Sequence, residues 1–399
     1  MKHLIVKKLK TIRRSNWLLT AVTAILLVIG VMFVYSACYI GDDQSTRELY
    51  RRQILWIVVG SAAYFAFALH DYHHFKRSSW AIYGGGIALL LVVLVIGTTI
   101  YGAKRWLMLF GIIGIQPAEI AKLTTIILLA HQLSLPGRDL RRFSDLVFIG
   151  LLILIPVGLI MLQPDLGTAL VFVPTAVIMM FVAGLPIKYL ITVGTLGLIL
   201  VTLILGTMFL PAKLGASKQT QQRVRKFCIL TEYQQKRIDV FFHPEKDPLG
   251  SGWNKRQSEI AVGSGGLRGK GYLKGTQNIL GFLPRSVAPT DFIYSVIAEE
   301  KGFIGSLAVL ALFFAILLLG MFTALRTEDA MGRLLCVGMG SLLFFHVFIN
   351  IAMTVGLMPI TGLPLPFLSY GGTFMVIMMS SLGIIQSVYI RSHRRESYM

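Results

Sequence analysis

The residues of this chain that could do chemistry are carboxylates and cations set at the edges of long apolar runs. Asp291 follows Thr290 in FLPRSVAPTDFIYSVIAEEKGFIG. A hydroxyl and a carboxylate at the start of a helix read either as a helix cap or as a general base at a membrane edge. Glu299 and Glu300 would lie about 12 to 14 Å further on if the helix continues. A helix N-terminus lowers a carboxylate pKa and partial burial raises it, and the sequence leaves that balance open. Glu119 and Lys122, spaced i,i+3 in QPAEIAKLTTIILLA, share one helix face. They serve either as an ion pair that fixes packing or as the wall of a polar cavity. Lys104, Arg105 and Trp106 in YGAKRWLMLF offer two cations and an amphipathic ring, enough for a diphosphate or for an interfacial anchor. In LQPDLGTAL, Pro164 would break one helix and Asp165, beside Gln163, would cap the next. Asn350 and the stretch PITGLPLPFLSYGGT, with Gly371 and Gly372, imply broken backbone lining protein or water, or ordinary helix packing.

The elements that must position these groups follow from composition. Of 399 residues, 55% are apolar and only 14% charged, and the mean hydropathy is +0.70, which excludes a soluble enzyme. Apolar runs fall near 17–39, 53–70, 79–100, 117–134, 145–162, 166–184, 187–210, 303–325, 333–357 and 366–390, each close to the length of a tilted crossing. We therefore expect an all-α polytopic membrane protein, one domain over 1–399, with ten transmembrane helices. An even number puts both termini on one side. Most Lys and Arg outside 211–290 lie in the segments of that side, including Arg138, Arg141, Arg142, Arg391, Arg394 and Arg395, which makes both termini cytoplasmic. Residues 211–290 then form a large extracytoplasmic loop between helices 7 and 8, expected to carry short interfacial helices. The net charge of +19 is scattered between apolar runs, as lipid-facing loops would be, and does not form a nucleic-acid patch. Cys38, Cys228 and Cys336 are odd in number and far apart, so they read as packing residues and not as a disulfide framework or a zinc site. The basic start (Lys2, Lys7, Lys8, Lys10, Arg13, Arg14) precedes an apolar stretch too long for a signal-peptide core, so it reads as the flank of a retained first helix.

Together GAKRW, QPAEIAK, LQPDLGT, QSEIAVGSGGLRGKGYLKGTQ, TDFIYSVIAEEKGFIG and PLPFLSYGG resemble the SEDS family, named for shape, elongation, division and sporulation. The likeness runs in order over nearly the whole chain, and GKGYLKGTQ is closer to the elongation members than to the division members. The resemblance implies a peptidoglycan glycosyltransferase that polymerises lipid II at the outer face of the bacterial inner membrane. It also implies a class B penicillin-binding protein as partner. It makes Asp291 the catalytic residue and carries over Arg105, Trp106, Gln116, Glu119, Lys122, Gln257, Lys270 and Gln277 as substrate-binding positions. Lys104 and Thr290 join them by adjacency. The chain departs from the family at LPRSVAPTDF, where Arg285 replaces an acid, Pro289 replaces a His, and about two residues are added. That departure leaves roles tied to the missing His and acid without a bearer here.

The expected chemistry is inversion at an anomeric carbon: Asp291 takes the proton of an acceptor 4-hydroxyl while cations stabilise a departing polyprenyl diphosphate. A divalent cation would suit the diphosphate, although no dense carboxylate cluster demands one. Two other classes stand beside this expectation, a lipid II flippase and a non-enzymatic scaffold for the penicillin-binding protein. Chain formation by purified protein in detergent separates an enzyme from both.

Overall fold

The computed structural model describes residues 14–39, 48–100, 103–109, 113–215, 217–226, 228 and 230–396. Most of the basic start, Lys2 to Arg13, lies outside the described residues. In chain order the helices are α1 (Trp17–Cys38), α2 (Leu49–Leu69), α3 (Phe75–Ile96), α4 (Pro117–Leu133), α5 (Phe143–Met161), α6 (Leu166–Val182) and α7 (Ile187–Lys213). Then come α8 (Lys218–Lys226), α9 (Glu232–Phe242), α10 (Ser251–Ser264) and α11 (Thr276–Ile279), and finally α12 (Ile293–Arg326), α13 (Ala330–Thr354) and α14 (Gly372–Glu396). Among the described residues, eight helices are long and apolar enough to cross a membrane: α1, α2, α3, α5, α7, α12, α13 and α14. The runs expected at 117–134 and 166–184 form α4 and α6, of 17 residues each.

Burial sorts these helices into an interior and a periphery. The apolar spans of α14 and α13 are 83% and 67% buried, against 6% for α7, so α14 and α13 form the core and α7 turns its side chains outward. Without a hydrophobic driving force between helices in lipid, close backbone approach supplies the packing. A Cβ on Gly383 of α14 would stand 2.5 Å from the Tyr64 carbonyl of α2, and one on Gly30 of α1 would overlap the carbonyl of Phe367. At one end of the bundle, ion pairs tie the connections together: Lys76 to Asp329 at 3.2 Å, Arg391 to Asp71 at 3.2 Å and Arg138 to Asp145 at 2.7 Å.

At the opposite end the chain is not wholly helical. A three-stranded antiparallel meander, β1 (Thr98–Ile100), β2 (Ala103–Leu109) and β3 (Ile113–Ile115), pairs Thr98 with Trp106 and Leu107 with Ile115. The all-α expectation is corrected here. Thr98, Thr99, Ile100, Ile113 and Ile115 are β-branched, but strands of three residues leave too little alternation to read from sequence.

A second departure is at α12, which starts at Ile293, about ten residues ahead of the apolar run at 303–325. The helix is broken at Gly302, where φ is +65°. The glycine-rich stretch before α11 fills the break with its own backbone. Lys270 N and Gly271 N donate to the carbonyls of Glu299 and Glu300 at 3.0 and 2.9 Å, while Phe303 N and Ile304 N donate to Gly266 and Leu267 at 2.9 and 3.1 Å. Carbonyls and amides released by the kink are thereby satisfied inside protein, as a membrane chain requires. Gly302 and Gly269 meet backbone to backbone, and a Cβ on either would overlap the other segment.

Gly302→Ala therefore combines a left-handed conformation, worth about 1 to 2 kcal/mol for a residue with a Cβ, with a backbone clash. We expect a lowered Tm of the purified protein in detergent, whereas Gly84→Ala in α3, where nothing lies within 4 Å, leaves Tm unchanged or raised. Equal Tm values for the two variants would show that the kink is dispensable.

Candidate active site

Asp291 sits where residues 284–291 turn into α12. Neither it nor Thr290 caps the helix: Phe292 occupies the cap position and no side chain bonds there. The Thr290 hydroxyl donates to the Val287 carbonyl at 3.2 Å instead, and Asp291 N donates to the same carbonyl at 3.0 Å. The cap reading fails because the chain enters α12 through a tight turn whose amides are already bonded. The carboxylate is left free for other work. The broken stretch before α14 grips this turn: Tyr370 N donates to Pro289 O at 2.8 Å, and the Ser369 hydroxyl donates to Thr290 O while accepting from Leu365 N at 2.7 Å.

Two arginines face the half-buried Asp291 carboxylate from other elements. Arg237 comes from α9, whose start is fixed by a capping box between Thr231 and Gln234. Its guanidinium donates to Ile360 O at 2.9 Å and to the Tyr233 hydroxyl, with its carbon 4.7 Å from the Tyr233 ring centre. Arg105 comes from β2. Gly362 lies between the two groups: a Cβ there would be 3.5 Å from Asp291 Oδ2 and 3.7 Å from both terminal nitrogens of Arg237, ordinary contact distances. Asp291 lies ahead of the membrane-spanning helix. Burial raises its pKa, and Arg237 and Arg105 draw it back.

Arg105 links this gap to a second acid. Its Nη1 is 3.9 Å from Asp165 Oδ2, and its buried Nε has no hydrogen-bond partner. Asp165 caps α6, as its spacing implies: Oδ1 accepts from Thr168 N at 3.1 Å and Oδ2 from the Thr168 hydroxyl at 3.0 Å. Gln116 donates to the same Oδ2 at 2.9 Å. One turn further along α4, Glu119 lies within electrostatic range of Asp165 and accepts from Lys122 Nζ at 2.8 Å. Lys122, only 1% exposed, also donates to His346 Nε2 of α13 at 2.7 Å, which puts the neutral ring's proton on Nδ1. Asp291, Arg105, Gln116, Glu119 and Lys122 thus form one polar track running inward from the sheet end.

Other positions named by the sequence go elsewhere. Lys104 turns away and donates to Val95 O at 2.7 Å. Trp106 packs its ring over Gly114, where a Cβ would be 3.1 Å away, and so braces β3. Lys270 donates to Glu299 Oε1 at 2.6 Å, to the Thr276 hydroxyl at 2.6 Å and to the Ser264 hydroxyl at 2.8 Å. Gln277 N donates to the same Glu299 oxygen at 2.9 Å, so both residues belong to a cluster that locks the kink of α12. Gln257 is buried in α10 beside Ser258, away from these bonds. Among the described residues, no group of three or more His, Cys, Asp or Glu is arranged to hold a metal ion.

Arg237 and His346 were missed from sequence. Arg237 stands in a short helix flanked by the T-x-x-Q of a capping box, which announces a helix but not its partner more than fifty residues on. His346 lies inside an apolar run and looks like a core residue until Lys122 meets it.

The family model for the cell cycle proteins FtsW, RodA and SpoVE matches residues 16–394. The chain is 32% identical to the peptidoglycan glycosyltransferase RodA of Treponema pallidum, covering 96% of this chain and 99% of that one. It is 35% identical to the peptidoglycan glycosyltransferase MrdB of Escherichia coli K12, with 93% of each covered, and 35% identical to stage V sporulation protein E of Bacillus subtilis, with 93% and 96% covered. Among solved structures, it aligns at TM-score 0.74 and 28% identity with a chain of a peptidoglycan synthase complex that coordinates polymerization and crosslinking, covering 95% and 99%. It aligns at TM-score 0.66 and 27% identity with Thermus thermophilus rod shape determining protein RodA, covering 96% and 98%. With a matching model over nearly all its length and the same helical frame, the chain belongs to the FtsW, RodA and SpoVE family.

Proposed function

We propose that this protein is an inverting glycosyltransferase that polymerises lipid II into peptidoglycan strands during cell elongation. The observation that carries the reading is a carboxylate, Asp291, within electrostatic range of two arginines and separated from Arg237 by Gly362, without forming an ion pair with either. A carboxylate already paired would be a poor base. Among the described residues Arg237 has no carboxylate within ion-pair distance, which leaves its charge for an anion, whereas Arg105 stands 3.9 Å from Asp165.

In the proposed step the acceptor 4-hydroxyl gives its proton to an Asp291 oxygen as its own oxygen forms the new bond to the anomeric carbon. The bond from that carbon to the diphosphate oxygen breaks, and the electron pair leaves with the polyprenyl diphosphate. Arg237 and Arg105 supply planar, permanently charged donors for the leaving group. Asp165, itself bonded by Gln116, stands behind Arg105, while Glu119 and Lys122 balance each other deeper in. Polyprenyl tails confined to one leaflet raise the effective concentration of the two headgroups.

We place ten crossings in the bilayer, the eight long helices with α4 and α6, and both termini in the cytoplasm. The cluster of Lys76, Asp71, Asp329, Arg138 and Arg391 supports this, because these short connections gather basic residues at the end opposite Asp291. Residues 211–290, with α8 to α11, then lie outside, where a class B penicillin-binding protein would be the transpeptidase partner.

Purified protein incubated with labelled lipid II, with chain length read on a gel, tests the assignment. Asp291→Asn should lower the rate by at least about 10²-fold, and Arg237→Ala or Arg105→Ala by about 10²- to 10³-fold. Lys104→Ala should stay within about threefold of the parent, since its ammonium is turned to a carbonyl outside the gap. Near-normal chains from folded Asp291→Asn protein would remove the base, and chains absent from the parent in detergent would favour a flippase or scaffold.

The pH dependence has a defined sign. Asp291 must be ionised to act, and burial raises its pKa above the ordinary carboxylate value. Activity is therefore lost as pH falls through that raised value. Arg237→Gln removes a cation that opposes the rise, so the acid limb of the rate profile should move to higher pH. A limb that stays in place or moves down would show that Arg237 does not act on this carboxylate.

A further inference from the structure

One face of α13 carries three polar side chains at i, i+4 and i+8, and all are fully buried: His346, Asn350 and Thr354. Polar groups inside a membrane bundle persist where they find partners: the Thr354 hydroxyl donates to Ile351 O within α13, while the His346 ring, the Asn350 amide and the Thr354 carbonyl each meet a different part of the molecule. His346 accepts from Lys122 of α4. The carbonyl of Thr354 accepts from the Ser258 hydroxyl of α10 at 2.7 Å, and that hydroxyl is 2.7 Å from the hydroxyl of Ser295 in α12. Asn350 lies between them and spends both amide hydrogens on backbone carbonyls, one on Asp291 at 2.9 Å and one on Leu363 at 2.7 Å.

Those two carbonyls belong to the two segments, or walls, that meet beside Arg237. Asp291 carries the carboxylate, and Leu363 follows Gly362, whose α-carbon faces both Asp291 and Arg237. Gly362 is held at φ +74°, and Arg237 is tied to the same strand of chain through the Ile360 carbonyl. One planar amide thus sets the separation of base and arginine. It acts through the backbone and touches neither the carboxylate nor the guanidinium.

We infer that Asn350 is a positioning residue for this reaction, fixing the Asp291 carboxylate relative to the loop that carries Gly362 and restrains Arg237. The inference rests on the reading of Asp291 as the base. Without the amide, two buried carbonyls lose their donor and the walls are free to part. A displacement of about 1 Å at a reacting group costs on the order of 10²-fold in rate. The loss should fall on kcat, because the groups that hold the diphosphate and the polyprenyl tail remain.

The experiment compares Asn350→Leu, which keeps the branched shape and removes both donors, with Asp291→Asn and the parent. Each is the full chain purified with its co-expressed penicillin-binding protein and assayed with labelled lipid II over a range of pH. The expected result is a kcat for Asn350→Leu at least about tenfold below the parent with KM within about threefold. Its acid limb should be displaced to higher pH, because the carboxylate leaves its station beside the two arginines. If Asp291→Asn is inactive while Asn350→Leu keeps the parent's kcat and pH profile, the positioning role is overturned and the base survives. If Asp291→Asn stays active, the base reading falls and this inference falls with it. A loss in Asn350→Leu that appears in KM alone, with the pH profile unmoved, also overturns it. Should Asn350→Leu fail to fold, Asn350→Ala carries the test, since it removes both donors without adding bulk. The same fall in kcat and shift of the limb support positioning through this turn, and an unchanged profile refutes it.

Discussion

A charge drawn out of water has to be compensated by its neighbours, and around Asp291 the compensation stops short of contact. At an effective dielectric constant of about 20, opposite unit charges roughly 5 Å apart still attract by about 3 kcal/mol. That is enough to keep a buried carboxylate ionised in part, yet it leaves the partners unpaired. Direct pairing would give a more stable acid and a weaker base. The other acids show the contrast: Glu119 is closed by Lys122, Glu299 by Lys270 and Asp165 by Thr168 and Gln116. Lys122 also reaches α13 through His346, and Gln116 joins the start of α4 to the cap of α6, so these closed acids lie where elements are tied together.

The backbone meets the same constraint by a different route. Wherever a helix is interrupted, chain from a distant segment supplies the missing partners. The glycine-rich stretch does so at the kink of α12, and the segment before α14 does so at the turn that carries Asp291. Both devices need main chain against main chain, which explains glycines at 269 and 302 and the dense prolines of PITGLPLPF better than mobility does. The extra residues of LPRSVAPTDF are accommodated here: Pro289 has no amide to satisfy, and its carbonyl is taken by Tyr370.

What could be read beforehand depended on the range of the interaction concerned. Long apolar runs announce crossing helices because the bilayer sets their length, and Glu119 with Lys122 announces a pair because three residues separate them on a helix. Asp165 could be recognised as a cap from its immediate neighbours. The strands could not, being three to seven residues long. The first turns of α12 were hidden because Glu299 and Glu300 interrupt the apolar pattern, and they are tolerated only because Lys270, Thr276, Ser36 and Leu273 receive them. Arg237 and His346 depend on partners far along the chain, and no spacing rule reaches that distance. Family resemblance singles out Lys270 and Gln277 as substrate-binding positions, and in the structure both bond to Glu299 at the kink of α12.

α4 has one more consequence. Its 17 residues rise about 26 Å, roughly 4 Å less than the hydrocarbon slab. Fifteen of them are buried, so the helix answers to protein on nearly every side and has no need to match the lipid. A change in bilayer thickness therefore bears on the outward-facing α7 well before it reaches this enclosed pillar.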